Sequence, residues 1–184
     1  MIGPRLGSIR RRLFMLKRLA AAFAVLAIAT TSAAAQQEPA QRVETIQDWS
    51  VYTANTAGGR ICFAASQPVN TEPTEVNRDA IYFMLTNYPL RGAVNEASII
   101  IGYPFEVDST VTVTIDNDES FVFFTIDDGA WLQDLTQETA LVVAMQRGIE
   151  MVVRGRSQRG TNTVDTYSLR GVTAAINRAA AECN

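Results

Sequence analysis

The alternation of polar and apolar side chains over Thr110–Ile115 constrains the fold of this chain most strongly. Threonine and an aliphatic residue take strict turns at these positions, so one face of the segment is apolar and the other is polar. The run Asp116-Asn117-Asp118 then leads into residues 121–126, which are aromatic and β-branched. Two such segments around a short turn predict an antiparallel β-hairpin with one buried face.

Further short segments of this kind predict an antiparallel β domain. Strands are predicted at 49–51, 60–67, 80–85, 94–101, 151–153 and 164–169. Turns or loops are predicted at 55–59, 68–77, Asp127-Asp128-Gly129 and Gln158-Arg159-Gly160. So many short strands are typical of an antiparallel β-sandwich or a barrel-like domain.

Two segments carry helical signals. Asp134 can cap a helix, Gln137 follows three residues later, and Gly148 suits the C-terminal end. From 171 to 181, one stripe at helical spacing comprises Val172, Ala175, Ile176, Ala179 and Cys183. The predicted fold class is therefore mainly β, an antiparallel β-sandwich or barrel-like domain with one short internal helix and a C-terminal helix.

Residues 1–35 have the pattern of a secretory signal peptide. Six basic residues and no acidic one precede or flank an apolar run of about eleven residues, and the segment ends in Ser32-Ala33-Ala34-Ala35. Small residues at Ala33 and Ala35 fit a signal peptidase, which predicts cleavage after Ala35. The run is shorter than the roughly twenty residues of a membrane span, and no later stretch reaches that length, so no transmembrane segment is expected after signal removal.

Two features of the signal stay open. Met15 could be the true start instead of Met1, and Arg11-Arg12 with the following residues resembles a twin-arginine motif, although the apolar run favours the general secretory route. The expected organisation is a signal peptide over 1–35, a flexible leader over 36–45 and a β domain over 46–184. The expected location is the periplasm, with outer-membrane association or secretion as further destinations.

Charge and composition exclude several functions. Signal removal leaves 10 basic against 19 acidic residues, and the chain has no histidine and a single lysine, Lys17, within the signal. An acidic chain without clustered cations is a poor partner for nucleic acid. Without histidine or mature lysine, the Ser-His-Asp, Cys-His and Ser-Lys arrangements and the usual zinc and copper sites are missing. No cofactor or metal is expected.

Cys62 and Cys183 are the only cysteines. An even count in an exported protein favours one disulfide, with two unpaired buried thiols as the alternative.

The C-terminal third carries a resemblance to a known family. Its motifs are Ala144-Met145 with Gly148, Ser157-Gln158-Arg159-Gly160-Thr161-Asn162-Thr163, Asp165-Thr166-Tyr167-Ser168-Leu169 with Gly171, and a terminal Cys183. Weaker matches upstream are Trp49 with Val51, Cys62 with Ser66-Gln67, Gly102-Tyr103-Pro104 and Ala130-Trp131. Over roughly 47–183 the chain resembles the invasion-associated locus B (IalB) family of exported proteins. That resemblance implies a periplasmic, mainly β domain, and it brings no catalytic mechanism.

The chain departs from the family pattern at two places. Many members carry a further cysteine where Tyr52 stands and a close cysteine pair near Asp127–Trp131, and this chain lacks both. It therefore resembles a cysteine-poor branch of the family. The resemblance implies no local disulfide in this chain and allows the Cys62–Cys183 pairing.

The turn at 157–163 is the main candidate binding site. Ser157, Arg159, Thr161, Asp165 and Tyr167 supply hydroxyls, a carboxylate and a guanidinium that could bind a carboxylate, phosphate or sugar. The alternative is a plain hairpin turn in which Arg159 pairs with a carboxylate such as Asp165.

Two other groups have weaker functional signals. The acidic turns at 116–119 and 127–128 could offer oxygen ligands to calcium, but solvated turns explain them better. Aromatic residues could form a ligand platform, although strand aromatics are usually core; they are Phe121, Phe123, Phe124 and Trp131.

The expected function is that of an exported, non-enzymatic cell-envelope protein that binds an unidentified envelope or host-surface protein. A small-ligand or glycan-binding module is the alternative. A hydrolase using two carboxylates among Asp127, Asp128 and Asp165 comes third.

Overall fold

The computed structural model describes residues 38–184, so the predicted signal peptide lies outside the described part of the chain. The strands are β1 (Gln41–Ile46), β2 (Trp49–Thr56), β3 (Gly59–Ser66), β4 (Asn70–Glu72), β5 (Tyr82–Tyr88), β6 (Ala93–Ile100), β7 (Thr110–Ile115), β8 (Glu119–Ile126), β9 (Gly129–Trp131), β10 (Glu150–Arg156) and β11 (Asn162–Ser168). The helices are α1 (Leu135–Arg147) and α2 (Val172–Glu182), and a short 3-10 turn spans Pro89–Arg91.

All the strands belong to one antiparallel sheet of 11 strands, in the order β1-β2-β3-β5-β6-β9-β8-β7-β10-β11-β4. Strands β1 and β4 lie at its two ends and do not pair with each other, so the sheet is open. The mainly β fold class with one internal and one C-terminal helix is confirmed.

The sheet nevertheless curls back on itself. Strands β3 and β4 are far apart in the strand order, yet only residues 67–69 connect them, and a chain that short reaches little more than about 14 Å. Across the interior, the ring of Phe83 on β5 lies 6.1 Å from that of Tyr167 on β11. The two halves of the sheet therefore face each other across one core, as in a barrel with a gap.

The predicted hairpin of β7 and β8 is confirmed in detail. Val111, Val113 and Ile115 are buried, while the threonines between them are not. Three residues connect the paired Ile115 and Glu119. Of these, Asp116 and Asn117 both have positive φ, 49° and 60°, and Asp118 donates a 2.9 Å hydrogen bond to the Ile115 carbonyl, which makes the turn tight. The polar face of β7 thus lies on the outside of the sheet.

Helix α1 begins as its sequence predicts. The carboxylate of Asp134 accepts a 2.9 Å hydrogen bond from the backbone N–H of Gln137, and the Gln137 side chain donates to the same carboxylate. At the other end, Gly148 has a φ of −80°, so it is not the left-handed cap that its position suggested. Glycine is needed there for space, because a Cβ would stand 2.5 Å from the Ile115 side chain.

Helix α2 packs its predicted stripe into the core, with Val172, Ala175, Ile176 and Ala179 buried. Directly after it, Cys183 forms a disulfide with Cys62 of β3, with the two Cα atoms 5.7 Å apart. The predicted pairing is confirmed, and it closes a loop of 121 residues.

Three elements differ from the sequence expectations. A flexible leader was predicted over 36–45, but its second half is not irregular. Gln41–Ile46 form an edge strand that pairs with β2. Strand β4 lies within the loop predicted over 68–77, and β9 begins at Gly129 of a predicted turn. All three are held by pairing with neighbouring strands: β1 with β2, β4 with β11, and β9 with β6 and β8.

Candidate functional site

The predicted site turn lies at the tip of the β10–β11 hairpin and is held by its own hydrogen bonds. The Thr161 carbonyl accepts a 2.9 Å hydrogen bond from the Ser157 N–H. The Thr161 N–H donates a 3.1 Å hydrogen bond to the Ser157 hydroxyl. Gly160 has a φ of +82° and donates to the Ser157 carbonyl. Ser157 and Thr161 therefore shape the turn, and Arg159 at its tip is exposed.

This turn forms one wall of an open cavity of about 570 Å³, which we call the Arg159 cleft. Its lining residues come from three segments, 75–79, 102–104 and 157–163; they are Glu75, Val76, Asn77, Arg78, Asp79, Gly102, Tyr103, Pro104, Ser157, Gln158, Arg159, Thr161 and Thr163. The site is thus larger than the turn that the sequence indicated.

Backbone hydrogen bonds fix the order of the three segments. Asp79 donates to the Gly102 carbonyl over 3.0 Å, and Gln158 donates to the Pro104 carbonyl over 2.8 Å. A Cβ on Gly102 would stand 2.4 Å from the Asp79 carbonyl oxygen, so glycine permits this close approach. Segment 102–104 therefore lies in the middle, with 75–79 on one side and the 157–161 turn on the other.

The buried ion pair of Arg78 and Asp165 supports the cleft from below. Nη1 and Nη2 of Arg78 each lie 2.7 Å from a different Asp165 oxygen, and the two side chains are only 6% and 0% exposed. Nε and Nη2 of Arg78 also donate to the Ile101 carbonyl, over 3.1 and 2.7 Å. The alternative in which Arg159 pairs with Asp165 does not hold, because Arg78 binds both carboxylate oxygens and Arg159 forms no ion pair within residues 38–184.

Tyr103 completes this support. The Arg78 guanidinium lies 5.0 Å from the centre of its ring, and its hydroxyl shares a hydrogen bond with the Thr163 hydroxyl. A Cβ on Gly155 would stand 2.9 Å from the Tyr103 hydroxyl, so a glycine in β10 makes room for it. Burial raises the pKa of Tyr103, with hydrogen bonding to Thr163 opposing the effect, and the phenol stays protonated near neutral pH.

Tyr167, another predicted site residue, is part of the core. It is fully buried, and its hydroxyl has no hydrogen-bond partner among the described residues. Burial and, secondarily, the negative charge of Asp165 raise its pKa far above the usual value. Of the five predicted site residues, Ser157, Arg159 and Thr161 therefore line the cleft, whereas Asp165 and Tyr167 are buried and do not line it.

The two walls of the cleft carry opposite charges. Glu75 and Asp79 are exposed on one wall, and Arg159 is exposed on the other. No ion pair within residues 38–184 involves any of the three. These charges are therefore available to a ligand.

The acidic turns have structural roles. Asp116 accepts backbone hydrogen bonds from Ile149 and Glu150, at 2.9 to 3.1 Å, and so ties the β7–β8 turn to the start of β10. Asp127 and Asp128 are exposed, and their carbonyls accept bonds from Phe105 and Ile101. Within the described residues no group of three or more His, Cys, Asp or Glu side chains could hold a metal ion.

The aromatic residues of β8 and β9 divide between the two faces of the sheet. Phe121 and Phe123 belong to the core, as strand aromatics usually do. Phe124 and Trp131 point outward, with ring centres 6.0 Å apart, and Val122 and Ile126 are exposed on the same face of β8.

Across residues 38–184, none of the helices has the length and apolar character needed to cross a bilayer.

Comparison with known proteins gives one match. The sequence profile of the family described as invasion associated locus B (IalB) protein matches residues 49–180. No curated protein and no solved structure matches the chain. The matched region contains Cys62, every segment of the Arg159 cleft and most of α2. Because it covers more than half of the chain, the protein belongs to the invasion associated locus B (IalB) family.

Proposed function

We propose that this protein is an exported, non-enzymatic envelope protein that binds a protein or surface partner through the Arg159 cleft. The observation that carries the proposal is an open cavity of about 570 Å³ whose wall charges have no ion-pair partners within residues 38–184. The Arg78–Asp165 pair holds the floor in one geometry, and a rigid floor reduces the entropy lost on binding.

A binding role accounts for these groups better than catalysis does. Asp165 is fully buried and both of its oxygens are bound to Arg78, so it cannot face Asp127 or Asp128 across an open cleft as a hydrolase would require. The chain has no histidine to act as a general base. A small-ligand module is the second candidate, because about 570 Å³ falls within the range of ligand pockets.

Export is proposed on the signal-like residues 1–35, and family membership and the Cys62–Cys183 bond are consistent with it. The mature chain should begin at Gln36 and appear in the periplasmic fraction. N-terminal sequencing of the fractionated protein tests this, and a retained Met1 or Met15 on exported protein would contradict it.

Substitution of Arg159 tests the binding role. Arg159→Ala should reduce partner capture from intact envelopes after cross-linking, because it removes the only exposed cation of the cleft lining. The melting temperature should change little, since the substitution is exposed and breaks no ion pair of the described residues. Quantitative mass spectrometry of the captured proteins gives the first readout and thermal unfolding the second.

Arg154→Ala is the matched control. Arg154 is also an exposed arginine of the β10–β11 hairpin and forms no ion pair within 38–184, but it does not line the cleft. It should leave capture unchanged. If Arg159→Ala lowers the melting temperature strongly and leaves capture intact, Arg159 is a structural residue and the proposal is wrong.

A further inference from the structure

The distribution of charge in the Arg159 cleft indicates what kind of group it binds. We propose that its ligand is a short peptide segment that carries one acidic and one basic side chain. This inference rests on the proposed function and names the chemistry of its partner.

The acidic side chain of the ligand would bind Arg159. Arg78 also lines the cleft, but its Nη1, Nη2 and Nε already donate to Asp165 and to the Ile101 carbonyl. Its charge is balanced by the buried carboxylate next to it. Arg159 is therefore the one lining cation that can offer its guanidinium to an incoming carboxylate, in the two-bond geometry that this pair prefers.

The basic side chain of the ligand would bind the opposite wall. Glu75 and Asp79 are exposed there without an ion-pair partner in the described chain, and segment 102–104 separates them from the Arg159 turn. A purely anionic ligand would be attracted by the Arg159 wall and repelled by the acidic wall, and a purely cationic ligand would be attracted by the acidic wall and repelled by Arg159. Only a ligand with both charges is attracted by both walls.

A neutral sugar fits the cleft less well. Tyr103 is the only aromatic residue of the lining, and the guanidinium of Arg78 lies over its ring, 5.0 Å from the centroid. Phe105 packs against Tyr103 in a T-shaped arrangement, with ring centres 5.5 Å apart. Arg78 therefore occupies one face of the ring, which leaves less of it for a sugar to stack on. The hydroxyl of Thr163 is likewise engaged, by Tyr103.

Matched synthetic peptides test the proposal. The probes are N-acetylated, C-amidated peptides with Glu and Arg separated by one, two or three glycines, and their versions with Gln in place of either charged residue. Binding to the mature chain is measured from backbone amide shifts of Gly102, Gln158 and Gly160. We expect saturable shifts at about millimolar peptide for at least one spacing, and at least about threefold weaker binding when either charge is replaced.

Charge variants of the two walls give a second readout. Arg159→Gln should remove the preference for the peptide with both charges over the peptide with Arg alone. Arg159→Glu should bind a peptide with two arginines more tightly than the wild type does. The double variant Glu75→Gln, Asp79→Asn should lose the preference for Arg in the ligand, and Arg154→Gln should behave like the wild type.

The outcomes separate this inference from the proposed function. If single-charge peptides bind as well as those with both charges, or if no peptide shifts the cleft amides at about 10 mM, the inference is wrong. In that case loss of partner capture by Arg159→Ala would still support the proposed function. If the two-charge peptides bind selectively but capture does not depend on Arg159, the ligand chemistry stands and the partner-binding role fails.

Discussion

The guanidinium of Arg78 joins parts of the chain that are far apart in sequence. It contacts Asp165 on β11, the Ile101 carbonyl just after β6, and the face of Tyr103. Two charges this deeply buried lose much of their hydration, and their attraction repays the loss only when the geometry is good. The pair therefore contributes less to net stability than to fixing where segments 75–79 and 102–104 lie.

Removal of one member of this pair should be costly. Arg78→Ala leaves the Asp165 carboxylate buried without a partner, and we expect the free energy of unfolding to fall by about 3–5 kcal/mol. Adding Asp165→Val should recover part of that loss, because an inward position of β11 accepts a β-branched apolar residue. Urea unfolding of the two variants measures both values, and a double variant less stable than Arg78→Ala would show this account to be wrong.

At the residue scale, Ser157, Arg159 and Thr161 of the predicted site line the Arg159 cleft, whereas Asp165 pairs with Arg78 and not with Arg159. The alternation along β11 puts Thr163, Asp165 and Tyr167 on the inner face, and a carboxylate there needs a buried cation. Nothing in the sequence identifies that cation as Arg78, which lies 87 residues away in a polar segment. The cleft was missed for the same reason, because long-range contacts create it.

The elements that were predicted well are those with local signals. Alternation identified β7, aromatic and β-branched composition identified β8, the Asp134–Gln137 pair identified the start of α1, and apolar spacing identified α2. Strand β1 was missed because its residues are mostly exposed at a sheet edge, where no apolar pattern is required. Strands β4 and β9 have three residues each, too few for a periodicity to appear.

The junction between α1 and β10 gives a prediction at the element scale. Gly148→Ala should lower the free energy of unfolding by about 1–3 kcal/mol, because the new methyl would overlap the side chains of Ile115 and Leu169. Gly58→Ala is the control, since its nearest neighbour would stand at 3.6 Å, an ordinary contact. Equal stability of the two variants in urea unfolding would contradict the role of Gly148 as a spacer.

At the scale of the whole molecule, the path of the sheet could not be predicted from the sequence. The strand types and turns imply an antiparallel β domain. The order of the 11 strands, however, depends on where the chain crosses from one half of the curled sheet to the other. The three-residue link from β3 to β4 and the bond from the Trp49 indole to the Ser168 carbonyl both make that crossing. Neither has a local sequence pattern that marks it.

Besides its buried apolar stripe, the C-terminal helix has an ion pair and a disulfide to this sheet, and the two differ in strength. Arg60 and Glu182 form an exposed ion pair at 3.5 Å, and such pairs contribute little. The disulfide between Cys62 and Cys183 closes a loop of 121 residues, and the chain-entropy model gives roughly 4–5 kcal/mol for a loop of that length. Of these two contacts, the covalent bond is therefore expected to contribute more to stability.

Loss of the disulfide should weaken the whole domain. Cys183→Ala should lower the free energy of unfolding by about 2–5 kcal/mol, mainly because the unfolded chain gains freedom. Cys62→Ala should cost more, because Cys62 is fully buried in β3, so that a cavity is added to the lost bond, whereas Cys183 is half-buried. The double variant should lie close to Cys62→Ala, since either single change already breaks the bond. Urea unfolding of the three variants and of the reduced wild type tests this; a reductant that leaves the wild-type transition unchanged would show that the bond does not stabilise the fold.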